Sequence, residues 1–140
     1  MITWSQEFAI GHVRIDHEHQ TFLCLVNDFH LARRSGASPV KLNRILNELS
    51  LYARFHFYSE ENVMADSGYP DLEAHRLLHY TLIEMLNNKI LGLQICAIDA
   101  GQVERFLIDW FVQHVTQEDS KIGRHLGQSP TSIPSRTGEL

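Results

Sequence analysis

Apolar residues recur at steps of three and four along four segments of this chain, and five of the positions on those stripes hold histidine instead of an aliphatic side chain. His19 leads Phe22, Val26 and Phe29. Leu42, Ile45, Leu49, Tyr52, His56 and Val63 form a second stripe, Leu72, His75, His79, Leu82 and Leu86 a third, and Val103, Leu107, Trp110 and His114 a fourth. Steps of three and four put side chains on one face of a helix, so each segment is predicted to be a helix whose stripe faces a shared core. Glycine and proline bound most of them. The first runs over about residues 16–34 and stops at Ser35-Gly36. The second starts at Ser38-Pro39, a cap followed by proline at the first helical position, and continues to about Asp66 before Ser67-Gly68. Tyr69-Pro70 opens the third, which ends near Gly92. Asp99, with Gln102 three residues on as a capping box, opens the fourth, which reaches about Gln117. No segment alternates convincingly with period two. Four helices joined by short loops predict an all-α, up-down-up-down four-helix bundle. Ahead of it the first fifteen residues read as an extended arm. Residues 1–126 are thus expected to form one domain, and residues 127–140, rich in Ser, Pro, Thr and Gly, a flexible tail or linker.

The bulk properties narrow the partners. A net charge of −5 without a basic patch argues against nucleic acid and anionic membranes. The opening residues lack the basic and apolar regions of a signal peptide, and no run of 18 apolar residues exists to cross a membrane. Cys24 and Cys96 fit no CxxC pattern; with their apolar neighbours both are expected to be reduced packing residues, in a cytoplasmic protein.

The histidines are the physical problem. Burying an imidazole without a partner costs about 1–3 kcal/mol, so five in one core would rival the whole stability of a small domain, about 5–15 kcal/mol. A metal centre removes the cost by turning each buried lone pair into a coordinate bond. Spacing supports this. His56 and Glu60 stand four apart, as do His75 and His79, so each pair shares one helical face. His114 and Asp119 stand five apart, about 140° round an ideal helix, so Asp119 is predicted to lie where the fourth helix tightens or unwinds. Glu61, beside Glu60, reads as a solvated surface charge. His12, His17, His30 and His125 fall off the pattern and are expected at the surface or behind the ligands.

Several stretches together resemble the hemerythrin family in its bacterial branch. They are Ile15-Asp16-His17-Glu18-His19, the run from His56 through Glu60 to Met64, Tyr69-Pro70 followed by His75 and His79, and Trp110 to His114 with Asp119. The resemblance covers about residues 4–126. It implies two iron ions, one held by His75, His79 and His114 and the other by His19 and His56. Glu60 and Asp119 would bridge them alongside a solvent-derived oxo or hydroxo group. Counting donors, the three-histidine iron is then closed and the two-histidine iron keeps one open position. Phe22, Trp110, Phe111 and Val115 correspond by the same matching to the lining of the oxygen pocket. The carboxylate-rich ferritin-like sites use Glu-x-x-His pairs, which are missing here.

The resemblance implies a non-enzymatic protein that binds O2 or a similar diatomic reversibly, as a carrier, store or delivery agent. The alternative is an oxygen or redox sensor, the tail being the start of a linker to a C-terminal signalling domain.

Overall fold

The computed structural model describes residues 1–128. Helices α1 (Val13–Arg34), α2 (Pro39–Ser67), α3 (Leu72–Gln94) and α4 (Ala100–Gln113) form the bundle, each packing against the next and α4 closing on α1. A single 3-10 turn, Gln6–Phe8, sits in the N-terminal arm. The α4 rod does not stop near Gln117. It widens into a π turn over His114–Asp119 and continues as α5 (Ser120–Gln128). Gly127 and Gln128 are therefore helical, and the rest of the expected tail, residues 129–140, lies outside the described residues. No helix among the described residues is long and apolar enough to cross a membrane.

Local chemistry explains the boundaries. α1 begins at Val13, ahead of the expected Asp16, because the His12 ring caps it by accepting the Ile15 amide proton at 3.3 Å. The Ser38 side chain caps α2 through Lys41, with Pro39 in the first turn. Asp99 and Gln102 exchange cap hydrogen bonds of 2.9 and 2.8 Å at the start of α4. α2 ends at Gly68, whose φ of 69° suits a residue without Cβ and lets Tyr69 N–H reach back to the Met64 carbonyl at 2.9 Å.

The stripes meet in one core. Phe22, Val26, Phe29, Leu46, Leu49, Leu86, Val103 and Leu107 are its buried centre. On α2 the buried line runs through Leu42, Leu46, Leu49, Ala53, His56, Phe57, Glu60 and Met64, while the expected Ile45, Tyr52 and Val63 are half-buried on its flanks. A second cluster of Met64, Tyr69, Ile122 and Leu126 seals the end where α5 returns to the α2–α3 turn. A buried carboxylate, Glu104 on α4, ties α4 to α1 by accepting from Arg33 at 3.0 Å and pairing with His30 at 2.9 Å.

The cysteines depart from expectation. Both are free, but both are exposed. Cys24 lies between core residues in sequence and on the outer face of α1 in space, since Leu23 and Val26 take the inner stripe. Cys96 follows α3 with φ 61°, in the position that favours glycine, while Ala97 N–H bonds back to Gly92 at 2.8 Å. A left-handed non-glycine residue costs about 1–2 kcal/mol, and glycine's greater freedom in the unfolded chain returns about 0.4–1 kcal/mol of that. Cys96→Gly should therefore raise unfolding free energy by roughly 0.5–1 kcal/mol, measured by denaturant melts; a lower midpoint would show that the Cys96 side chain contributes packing the geometry does not reveal.

Candidate metal centre

Each element of the bundle supplies polar side chains to one buried point. His19 comes from α1, His56 and Glu60 from α2 one turn apart, and His75 and His79 from α3, again one turn apart. His114 and Asp119 are the two ends of the π turn. In such a turn hydrogen bonding runs to the fifth residue, so Asp119 comes back beneath His114 where an α-helix would carry it round the far side. The unwinding expected of the fourth helix is thus a widening by one residue. All seven side chains are buried, Glu60 and Asp119 completely.

The two carboxylates divide their oxygens. Glu60 Oε1 lies 2.8 Å from His75 Nε2 and 3.0 Å from His79 Nε2, while its Oε2 faces His56 Nε2 at 3.4 Å and His19 Nε2 at 3.9 Å. Asp119 Oδ1 lies 3.1 Å from both His75 and His114, and its Oδ2 lies 3.1 Å from His19. Two overlapping sets result: Glu60, His75, His79, His114 and Asp119 on one side, and His19, His56, Glu60 and Asp119 on the other, with the donor atoms of each set within 4.8 Å of one another. Both carboxylates belong to both sets.

Only His75 and His79 meet Glu60 Oε1 as hydrogen bonds; the other close approaches do not. His19 Nε2, His56 Nε2, His114 Nε2, Glu60 Oε2 and both Asp119 oxygens are buried without a hydrogen-bond partner. Orphaned polar atoms are rare in folded cores and ask for an explanation. Lone pairs at 3.1–3.4 Å that miss hydrogen-bond angles are aimed at common points between them. Buried nitrogen and carboxylate donors arranged this way fit a metal site.

A second ring of contacts holds the imidazoles in that pose. His56 Nδ1 sits 2.7 Å from Glu18 Oε1, and Glu18 also accepts from Ser59 at 2.9 Å and Arg14 at 3.3 Å. His79 Nδ1 sits 2.8 Å from Glu61, which Arg76 supports at 3.3 Å. His19 Nδ1 lies 3.4 Å from the Phe8 carbonyl. Carbonyls and ionised carboxylates only accept, so each of these outer nitrogens carries a proton, and Nε2 of each ring is the nitrogen left to face a metal. Such outer partners set the tautomer and basicity of metal-binding histidines. Glu61, expected as a solvated surface charge, is half-buried, and Glu18, which helical spacing alone gives no role, is buried. Their sequence signal is faint, an acid directly beside a stripe residue on Glu18-His19 and Glu60-Glu61.

The four residues expected to line a pocket, Phe22, Trp110, Phe111 and Val115, surround a cavity of about 20 Å³ that reaches both His19 and His56. Phe22 stacks on Phe111 at 5.8 Å and meets Trp110 edge-on at 5.2 Å.

Known proteins resemble this chain in sequence and in fold. Residues 11–126 match the profile of the hemerythrin HHE cation binding domain. Bacteriohemerythrin of Clostridium acetobutylicum is 30% identical over 128 residues, spanning 85% of this chain and 96% of that protein. Bacteriohemerythrin of Methylococcus capsulatus is 30% identical over 135 residues, spanning 88% and 95%. A crystal structure of wild-type hemerythrin superposes with a TM-score of 0.80 at 28% identity, covering 90% of this chain and 98% of the other.

The electrostatics of the side chains alone carry a sign that can be tested. Burial pulls His56 and His75 down, but carboxylate partners outweigh it and hold them at about 10 and about 9, against an ordinary value of 6.5. Burial pushes Glu60 and Asp119 up, and the surrounding imidazoles reverse this and hold both well below their ordinary values of 4.5 and 3.8. Raised histidines stabilise the fold fully below pH 6.5 and lose that contribution as pH climbs through about 9 to 10. Depressed carboxylates stabilise it above their ordinary values and lose that contribution as pH falls. Stripped of metal by a chelator, the protein should therefore melt at progressively lower temperature as pH rises above 6.5, whereas metal-loaded protein, with cations in place of protons, should not. A flat profile for the stripped protein would contradict the packing of imidazoles on carboxylates.

Proposed function

The chain belongs to the hemerythrin family, and on that premise we propose that it binds dioxygen reversibly at a di-iron centre, without turning over a substrate. His75, His79 and His114 would hold one iron and His19 and His56 the other, with Glu60 and Asp119 shared and a solvent-derived oxo or hydroxo bridge completing the pair. The observation that carries this reading is the split of each carboxylate, one oxygen toward each set of histidines, next to a small apolar cavity that touches both histidines of the two-histidine set and, of the other set, His114. When bound, the iron pair supplies the electrons for reversible oxygen uptake.

The protein's own part is to keep that chemistry from going further. A cavity of about 20 Å³ has room for a molecule about the size of one water, since about 10–15 Å³ on this measure holds one. It is too small for an organic substrate, which favours binding over catalysis. Phe22, Phe111 and Trp110 present apolar ring surface to it, so water and protons gain little by entering. Neutral imidazoles outnumber carboxylates five to two among the donors, a balance that disfavours accumulation of positive charge on the metals compared with carboxylate-rich sites. The anchored Nδ1 protons of His19 and His56 keep both rings aimed inward and resist reorientation when a small molecule arrives.

Ferrous protein titrated with oxygen should take up one O2 per two irons and release it on deoxygenation. Uptake that cannot be reversed, or a spectrum unchanged by oxygen, would overturn the reading. The pocket wall gives a sharper test. Truncating a buried Phe costs about 3–5 kcal/mol and leaves a cavity, and one beside polar donors admits water. Phe111→Ala should still bind two irons yet convert to the ferric form many times faster than the parent in stopped-flow mixing with oxygen. An unchanged rate would remove Phe111 from the barrier, and a parent as short-lived as the variant would exclude storage or delivery and favour sensing.

A further inference from the structure

Of the three imidazoles whose outer nitrogen has a partner in the structure, His56 and His79 are steered by carboxylates on α1 and α2, inside the bundle. His19 is different. Its Nδ1 donates to the carbonyl of Phe8, in the arm that precedes the first bundle helix. That arm has only the 3-10 turn of its own, yet it is fastened at several separate points. The Asn27 side chain grips the Ile2 backbone from both sides, accepting its N–H at 3.0 Å and donating to its carbonyl at 2.8 Å. The two oxygens of Asp16 accept from Ile10 and Gly11 at 2.7 and 3.1 Å. The Phe8 ring meets Phe111 edge-on at 5.3 Å. At the far side the Ile10 carbonyl rests directly on Gly123 of α5, where any Cβ would overlap it.

We propose that the arm is the positioning element of the two-histidine half of the centre: the Phe8 carbonyl sets the tautomer and aim of His19, and arm seating and metal on that half stabilise one another. The proposal rests on the di-iron reading and goes beyond it. If the seated arm improves metal binding at this half, metal must hold the arm down by the same factor, because coupling between two sites is reciprocal. Loss of an outer hydrogen bond to a metal-binding histidine weakens metal affinity by about 10–100-fold. Among the described residues no imidazole of the three-histidine half hydrogen-bonds to the arm, whose 3-10 turn reaches that half only by packing on the π turn, so that half is expected to be less affected.

Asn27→Ala removes the clamp on Ile2, and Gly123→Ala pushes Ile10 off α5; neither residue is in the donor set. Full-length parent, each variant and the two combined would be titrated with cobalt(II) in place of iron, with amide exchange at Ile10 and Gly11 reporting arm release. In the parent two cobalt ions bind, and exchange at both amides slows on loading. In the variants the first cobalt binds as in the parent while the second weakens by about 10–100-fold, in step with faster exchange across the series. The cobalt-shifted imidazole N–H signals of His19 and His56 disappear and those of the other histidines persist. Second-ion affinity that does not track arm release would overturn the proposal, as would loss of both ions together, which marks general destabilisation. A parent that binds fewer than two ions would instead overturn the di-iron reading, and the arm proposal with it.

Discussion

Two carboxylates in the middle of an apolar bundle set the terms for everything around them. Glu60 and Asp119 are fully buried, a placement that costs several kcal/mol per ion unless positive charge is brought in. Five imidazoles from four directions answer that demand, and each carboxylate turns one oxygen to either side. The bundle is the architecture that makes this possible: parallel and antiparallel rods let residues far apart in sequence meet at one level, and pairs four apart present two donors from a single turn. Capped ends and short connections then fix the vertical register of each rod, on which the meeting of all seven side chains depends.

Around that centre the structure separates wet from dry. On one side, Glu18 and Glu61 hand the polar interior out to Arg14 and Arg76 near the surface, so the donor rings are braced by charge. On the other, the rings of Phe22, Phe111 and Trp110 close a small apolar space against His19 and His56. Polar bracing at the outer ring nitrogens and apolar shielding by aromatic rings thus serve the same cluster, and His56 takes part in both.

Fold class and helix order were legible in the sequence because the stripes at three and four are long and the punctuation at Ser35-Gly36, Ser67-Gly68 and Asp99 is strong. The seven side chains that meet were legible for a related reason: polar residues on a core stripe stand out against leucine. What escaped was whatever leaves no periodic trace. The start of α1 at a histidine cap, the exposure of Cys24 between two apolar neighbours, and the flank positions of Ile45 and Tyr52 all depend on which side of a stripe faces in. Glu18, Glu61 and the Phe8 carbonyl are set by contacts between elements; the last is main chain and carries no residue identity at all.

The π turn links the centre to the far end of the chain in a way that composition conceals. Along the final rod the inward positions advance by threes and fours to His114, then by five to Asp119, then by three and four to Ile122 and Leu126. A regular helix would turn everything after the long step by about 100° away from the bundle; the widened turn absorbs one residue and brings it back. Insertion and deletion thus act here like a change of phase. Removing one residue between His114 and Asp119 would let a regular helix carry Asp119, Ile122 and Leu126 inward at steps of four, three and four, whereas straightening the turn without that removal would swing all three out of the bundle together. Most helical proteins tolerate point changes and length changes as separate risks. In this rod spacing and turn type are matched: a step of five needs the wide turn, and a step of four would not.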